Sequence, residues 1–174
     1  MNHLVTEVLD FVRGEFLLRN VEVKTSYAPD LPHVQGDRVQ LQQVILNLIR
    51  NAVQAMSAVH DAPRKLTITT HHHQDDCVEL SVRDAGIGIG QQDAERLFTP
   101  FRSTKPEGMG IGLFVSRSIV EHHGGRLWAS ANEGGAGATF SLSIPCKPKR
   151  TRHDRSGRHR SAAPPLMLSA RDCA

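Results

Sequence analysis

The chain is 174 residues long with 39% hydrophobic residues, enough to bury one sizeable core, so a single folded domain is the expectation. Its formal charge of +3 is unevenly placed: eight of the 21 Lys/Arg and two of the 18 Asp/Glu residues fall from Lys147 onward, leaving residues 1–146 at −3. The basicity is thus a property of the tail and says little about the domain's partners, while three widely spaced cysteines, Cys77, Cys146 and Cys173, argue against a disulfide scaffold or zinc knuckle and fit a reducing compartment.

Leu4, Val8, Phe11, Val12 and Leu18 recur at helical spacing, which predicts an amphipathic helix over 3–19 as the first helix or linker of the domain. VEVKTSY (21–27) alternates and reads as a strand, after which Pro29 and Pro32 break the chain. Asp37 suits the N-cap of a long helix running to about Ser57. In that helix Leu41, Val44, Ile45, Leu48, Ile49, Ala52 and Val53 make an apolar stripe. Asn47 and Asn51, four apart, project from one face one turn apart. Asn is a mediocre helix former, so two of them in mid-helix ask for a reason.

KLTITTHHH (65–73) and VELSVRD (78–84) are strand-like runs joined by a hairpin signal at 74–76. DAGIGIG (84–90) reads as a loop, 91–97 as a short helix, and 97–110 as a mobile loop. An apolar helix over 111–124 stops at Gly124-Gly125, and 126–132 with 138–145 form a closing strand pair. Strands in hairpins with interleaved helices predict an α+β two-layer sandwich, a mixed, mostly antiparallel sheet with helices on one face. The folded domain is expected over 1–146. The basic, Pro/Ser/Ala-containing segment 147–174 lacks an apolar period and reads as a disordered tail. No run approaches about 18 consecutive apolar residues, and no basic-then-apolar leader opens the chain. The expectation is a cytoplasmic protein with no membrane segment and no specific nucleic-acid partner.

Three features could carry chemistry. Asp84 ends an apolar strand and is followed by Gly86, Gly88 and Gly90, so a carboxylate that only accepts hydrogen bonds stands where a ligand amine can reach it. Gly108, Gly110 and Gly112 open a helix, where free backbone N–H groups and the dipole favour a polyphosphate. Lys105 lies three residues before Gly108. No GxxxxGK[ST] motif, complete dinucleotide fingerprint or eukaryotic-type kinase set is present.

In their order along the chain these pieces resemble the catalytic and ATP-binding domain of bacterial sensor histidine kinases, of the Bergerat-fold superfamily that includes gyrase and MutL. QVILNLIRNA looks like the N box, DAGIGIG the G1 box, LFTPFRSTK the F box and GMGIGL the G2 box. The likeness covers roughly Leu4 to Pro145. It implies ATP and Mg²⁺ as cofactors, with Asn51 holding the metal and Asn47 on the phosphate side. Asp84 would bond the adenine amine, with Thr139 nearby through water, and Gly86, Gly88 and Ile89 would let the base approach. Phe98, Phe101 and Lys105 would belong to the lid, and Gly108, Gly110, Gly112 and Leu113 would shape its return. Arg50 could face the phosphates or point away. ATP-hydrolysing members carry a Glu where Asn47 stands; an amide cannot take a proton, which suits a kinase, with Asn47 and Lys105 as the catalytic pair. Arg102 departs from the small or apolar residue usual in the F box.

None of the ten histidines stands in a phosphoacceptor context. His71–His73 fall in a strand hairpin, His122 and His123 end a helix, and His3 is too near the terminus. The resemblance thus implies a protein-histidine kinase, incomplete without a dimerisation and phosphoacceptor domain and served by a response regulator. On its own the chain is expected to be a monomer. An anti-sigma-factor-type serine kinase and a non-catalytic nucleotide-binding docking module remain open alternatives. A MutL-like ATPase clamp is disfavoured by Asn47 and by the small size.

Overall fold

The computed structural model describes residues 1–59, 62–73, 76–90, 92–101, 110–134 and 136–146. The elements run in the order α1 (Asn2–Leu18), β1 (Val21–Tyr27), α2 (Arg38–Ser57), β2 (Arg64–His73), β3 (Cys77–Asp84), a 3-10 turn (Glu95–Phe98), α3 (Gly112–His122), β4 (Arg126–Ala131) and β5 (Ala138–Pro145). The five strands form one sheet in the order β1-β2-β3-β5-β4. Only the β1–β2 pair is parallel, and the long helix α2 is the crossover it requires. The other neighbours are antiparallel.

One core joins the three helices to the sheet. Leu66, Ile68, Val78, Leu80, Val82, Phe140, Leu142 and Ile144 alternate along β2, β3 and β5 and are buried. The register sets Ile68 beside Val82, Val82 beside Phe140, and Leu80 beside Leu142, so each strand contributes to the same inner face. Eight residues of α2, among them Val44, Ile45, Leu48, Ile49 and Val53, cover that face. Asp37 caps the helix: its carboxylate accepts the Gln40 N–H at 3.0 Å. The opposite sheet face is open, as one face of an antiparallel sheet can be, and His71, His72 and His73 are exposed at the end of β2.

Two expectations are corrected. The buried stripe of α1 is Val5, Val8, Val12 and Phe16, whereas Phe11 and Leu18 are 74% and 87% exposed. The helix carries apolar residues on more than one side, and packing on α2 selects the stripe, with Glu7 meeting Arg38 and Gln42 along the seam. The short helix expected over 91–97 is a single 3-10 turn of four residues, Glu95–Phe98, anchored by the buried Phe98. The expected lid over 97–110 falls largely at 102–109, outside the described residues, as does the tail from 147 onward.

At the far end of α3, His123 ties two helices together. Its Nε2 accepts the Asp37 N–H at 2.9 Å and its Nδ1 donates to the Ile119 carbonyl at 2.7 Å. Both ring nitrogens are therefore occupied in structural bonds.

Candidate functional site

The helix α2 touches both glycine clusters, and this is what assembles the site. Next to Asp84, the Ile87 N–H donates to the Ala55 carbonyl at 3.4 Å. A Cβ on Gly86 would lie 2.6 Å from the Ala55 carbonyl carbon, so only glycine lets the loop cross the helix there. Two turns earlier, a Cβ on Gly112 would lie 2.7 Å from Asn47 Oδ1, and Asn47 Nδ2 donates to Ser116 Oγ at 2.9 Å. Asn47 thus fastens the start of α3 to the middle of α2. Asn51, half-buried one turn on, has no side-chain hydrogen bond among the described residues.

Asp84 is a buried carboxylate of this region. It is 2% exposed at the end of β3. Its Oδ1 accepts the Gly86 N–H at 2.8 Å and the Ala138 N–H at 3.3 Å. Its Oδ2 is buried with no hydrogen-bond partner among the described residues. Burial pushes the carboxyl above its ordinary range, against the pull of the two backbone N–H groups. An unpaired buried acceptor costs about 1–3 kcal/mol, more if charged, which a ligand donor would offset.

The unfolded carboxyl ionises near 3.8 and the folded one above it, so the folded chain binds the proton more tightly. Stability from this group is complete below the unfolded value and is lost as pH rises through the raised one. Urea unfolding of the nucleotide-free protein between about pH 4 and pH 7 should show wild type losing stability relative to Asp84→Asn. Parallel profiles would mean that burial does not load this carboxyl.

Gly88 and Gly110 have positive φ, at 76° and 65°. Ile89 and Leu113 are partly buried against the core. Phe98 is inside the core, its ring 6.5 Å from that of Phe140 in an edge contact, with the Arg117 guanidinium 4.6 Å above it. Phe101 is 81% exposed at the edge of the described segment. Arg50 points to α1, 4.0 Å from Glu15. Lys105, Gly108 and Arg102 lie outside the described residues.

Thr139 pairs with Arg83, and it alternates with buried Ala138 and Phe140. Its side chain is therefore on the opposite face from theirs, and its hydroxyl donates to Asn132 Oδ1 at 2.7 Å. Ala138, not Thr139, supplies the group that meets the Asp84 carboxylate. Ser116 and Asn132 are neighbours of the site that sequence reasoning missed. Ser116 is one of two serines on an otherwise mostly apolar helix, and Asn132 precedes a glycine-rich turn where Asn is ordinary. Among the described residues no group of three or more His, Cys, Asp or Glu could hold a metal. No helix among them is long and apolar enough to cross a membrane.

Comparison with known proteins agrees with this arrangement. Residues 36–148 match the model of the family described as histidine kinase-, DNA gyrase B-, and HSP90-like ATPase. The chain is 45% identical over 127 residues to the sensor protein FixL of Bradyrhizobium diazoefficiens, covering 73% of this chain and 25% of FixL. It therefore spans about a quarter of the length of that relative. The catalytic domain of the histidine kinase ThkA, in a nucleotide-free form, superposes with a TM-score of 0.73 at 31% identity, covering 83% of this chain and 91% of that one. ThkA in complex with the response regulator protein TrrA matches with a TM-score of 0.73 at 28% identity, over 87% of this chain and 42% of that one. With its mixed five-stranded sheet under three helices and its match over 36–148, the chain belongs to the histidine kinase-, gyrase- and HSP90-like ATPase family and is homologous to the sensor histidine kinases.

Proposed function

We propose that this chain is the ATP-binding catalytic domain of a two-component sensor histidine kinase, folded over residues 1–146 and cytoplasmic. It binds ATP with Mg²⁺ and donates the γ-phosphoryl group to a histidine on a phosphoacceptor domain in cis or in trans. A response regulator then receives the phosphoryl group. The observation that carries the reading is the buried, unpaired Oδ2 of Asp84, an acceptor suited to the 6-amino group of adenine.

The other residues take roles consistent with their chemistry. Asn51 offers an amide oxygen, a hard donor that suits Mg²⁺, whose remaining positions would go to phosphate and water. When bound, the ion neutralises phosphate charge. Asn47 is held by Ser116 and packs on Gly112, so it orients the start of α3 instead of activating water. Its amide cannot accept a proton. Phosphoryl transfer needs positioning and charge neutralisation more than a base, and the nucleophile is an imidazole supplied elsewhere. Among the described residues no side chain caps the N-terminus of α3, which leaves backbone N–H groups for phosphate oxygens. Lys105 and Gly108 complete the lid in this reading. Phe98 supports it from within the core.

Transfer of γ-labelled phosphate to an isolated phosphoacceptor hairpin from a sensor kinase tests the reading. The expected product is an acid-labile phosphoramidate on histidine. An acid-stable serine phosphate would favour the anti-sigma-factor type of kinase, and binding of ATP without any transfer would leave a docking module.

A further inference from the structure

Asn132 lies one residue beyond β4, at the mouth of the β4–β5 hairpin, and is 8% exposed. Each polar atom of its amide is engaged. Nδ2 donates to the Asp84 carbonyl at 2.8 Å and to the Ala136 carbonyl at 2.9 Å. Oδ1 accepts the Thr139 hydroxyl at 2.7 Å, and the Asn132 N–H donates to the Gly137 carbonyl at 3.3 Å. A buried amide with its donors and acceptor satisfied holds one orientation, because any rotation strands a polar group.

What this amide holds is the backbone of Asp84. The carboxylate Oδ1 is fixed by the N–H groups of Gly86 and Ala138, and the second of these is presented by the hairpin that Asn132 closes. The contact is backbone on backbone: a Cβ on Gly137 would lie 2.0 Å from the Asp84 carbonyl oxygen. The hairpin and the end of β3 are therefore tied together twice by side chains, through the Asp84 carboxylate on the Ala138 N–H and through the Asn132 amide on the Asp84 carbonyl. The Asn132 amide thus fixes the backbone from which the Asp84 carboxylate projects.

We infer that Asn132, held in turn by Thr139, is a positioning residue for base selectivity, aiming the free oxygen of Asp84 at the 6-position of a purine. The inference rests on the proposed reading of Asp84 as the adenine acceptor. An amino group at that position donates where the carbonyl of a 6-oxopurine accepts, the latter base also carrying a hydrogen on N1, so discrimination depends on how well the acceptor is aimed at the 6-position, and hydrogen bonds weaken steeply with angle. This also gives Thr139 a task on the outer sheet face: its hydroxyl keys the Asn132 amide.

The test is calorimetric affinity of the full chain for ATP and for inosine triphosphate, which carries a carbonyl at the 6-position. Wild type, Asn132→Ala, Thr139→Val and Thr139→Ser are compared. Wild type should prefer ATP. That preference should fall about tenfold in Asn132→Ala and by a smaller factor in Thr139→Val, with Thr139→Ser restoring it. Equal weakening toward both nucleotides, with the ratio unchanged, would reduce Asn132 to a hairpin staple and overturn the inference. If Asn132→Ala does not fold, the near-isosteric Thr139→Val decides on the same ratio. A wild type that does not discriminate would overturn the Asp84 reading itself, so the two failures are told apart.

Discussion

Asp84→Asn should lower the affinity for ATP about 100-fold while the protein stays folded. The amide keeps an oxygen able to accept the Gly86 and Ala138 N–H groups, so the turn after β3 retains both of its bonds. What changes is the other atom. An NH₂ group takes the place of the buried Oδ2 and meets the 6-amino group of adenine donor to donor. A hydrogen bond to a charged acceptor contributes about 1.5–3 kcal/mol, and its replacement by two opposed donors removes all of it. The same substitution relieves a buried charge, so the variant should melt no lower than wild type at neutral pH. Loss of affinity without loss of stability separates a recognition role from a structural one, and titration with a non-hydrolysable ATP analogue together with thermal unfolding measures both. Unchanged affinity would remove Asp84 from the site.

Asn51→Ala should abolish the part of nucleotide binding that depends on Mg²⁺ and slow phosphoryl transfer by at least about 100-fold, since a metal ion at phosphate supplies several kcal/mol in the transition state. Alanine is the better helix former, and the Asn51 side chain has no hydrogen bond among the described residues to lose, so α2 should persist. Binding in the presence of a chelator should be unaffected. That split distinguishes Asn51 from Asn47, whose amide is committed to Ser116. A variant that keeps its Mg²⁺ increment would place the metal on other ligands.

Much of this site was legible along the chain because its determinants are local. The stripe in α2 has an unambiguous 3.6-residue period, the Asp37 cap is a single position, and the alternation in β2, β3 and β5 admits one inward face. Asp84 at a strand end with glycines behind it, and a pair of asparagines one turn apart, are patterns of spacing. Set in their order along the chain they carried the family resemblance, and it is the resemblance that implied the proposed nucleotide-binding layout.

The tertiary structure decided everything that required knowing what lies opposite. The periodicity of α1 permits more than one apolar stripe, and the packing of α2 buries Val5, Val8, Val12 and Phe16 while leaving Phe11 and Leu18 outside. Phe98 belongs to the core because Phe140 and Arg117 come from distant elements to enclose it. Pairing register turns Thr139 away from Asp84 and brings the Ala138 N–H to it, and a shift of one residue would exchange the two. Asn132 and Ser116 became visible only through partners 48 and 69 residues away. Spacing within a segment is a property of the sequence. Which face is covered, and which polar atom is left unpaired, depends on long-range packing, because burial is what gives those atoms their cost and their use.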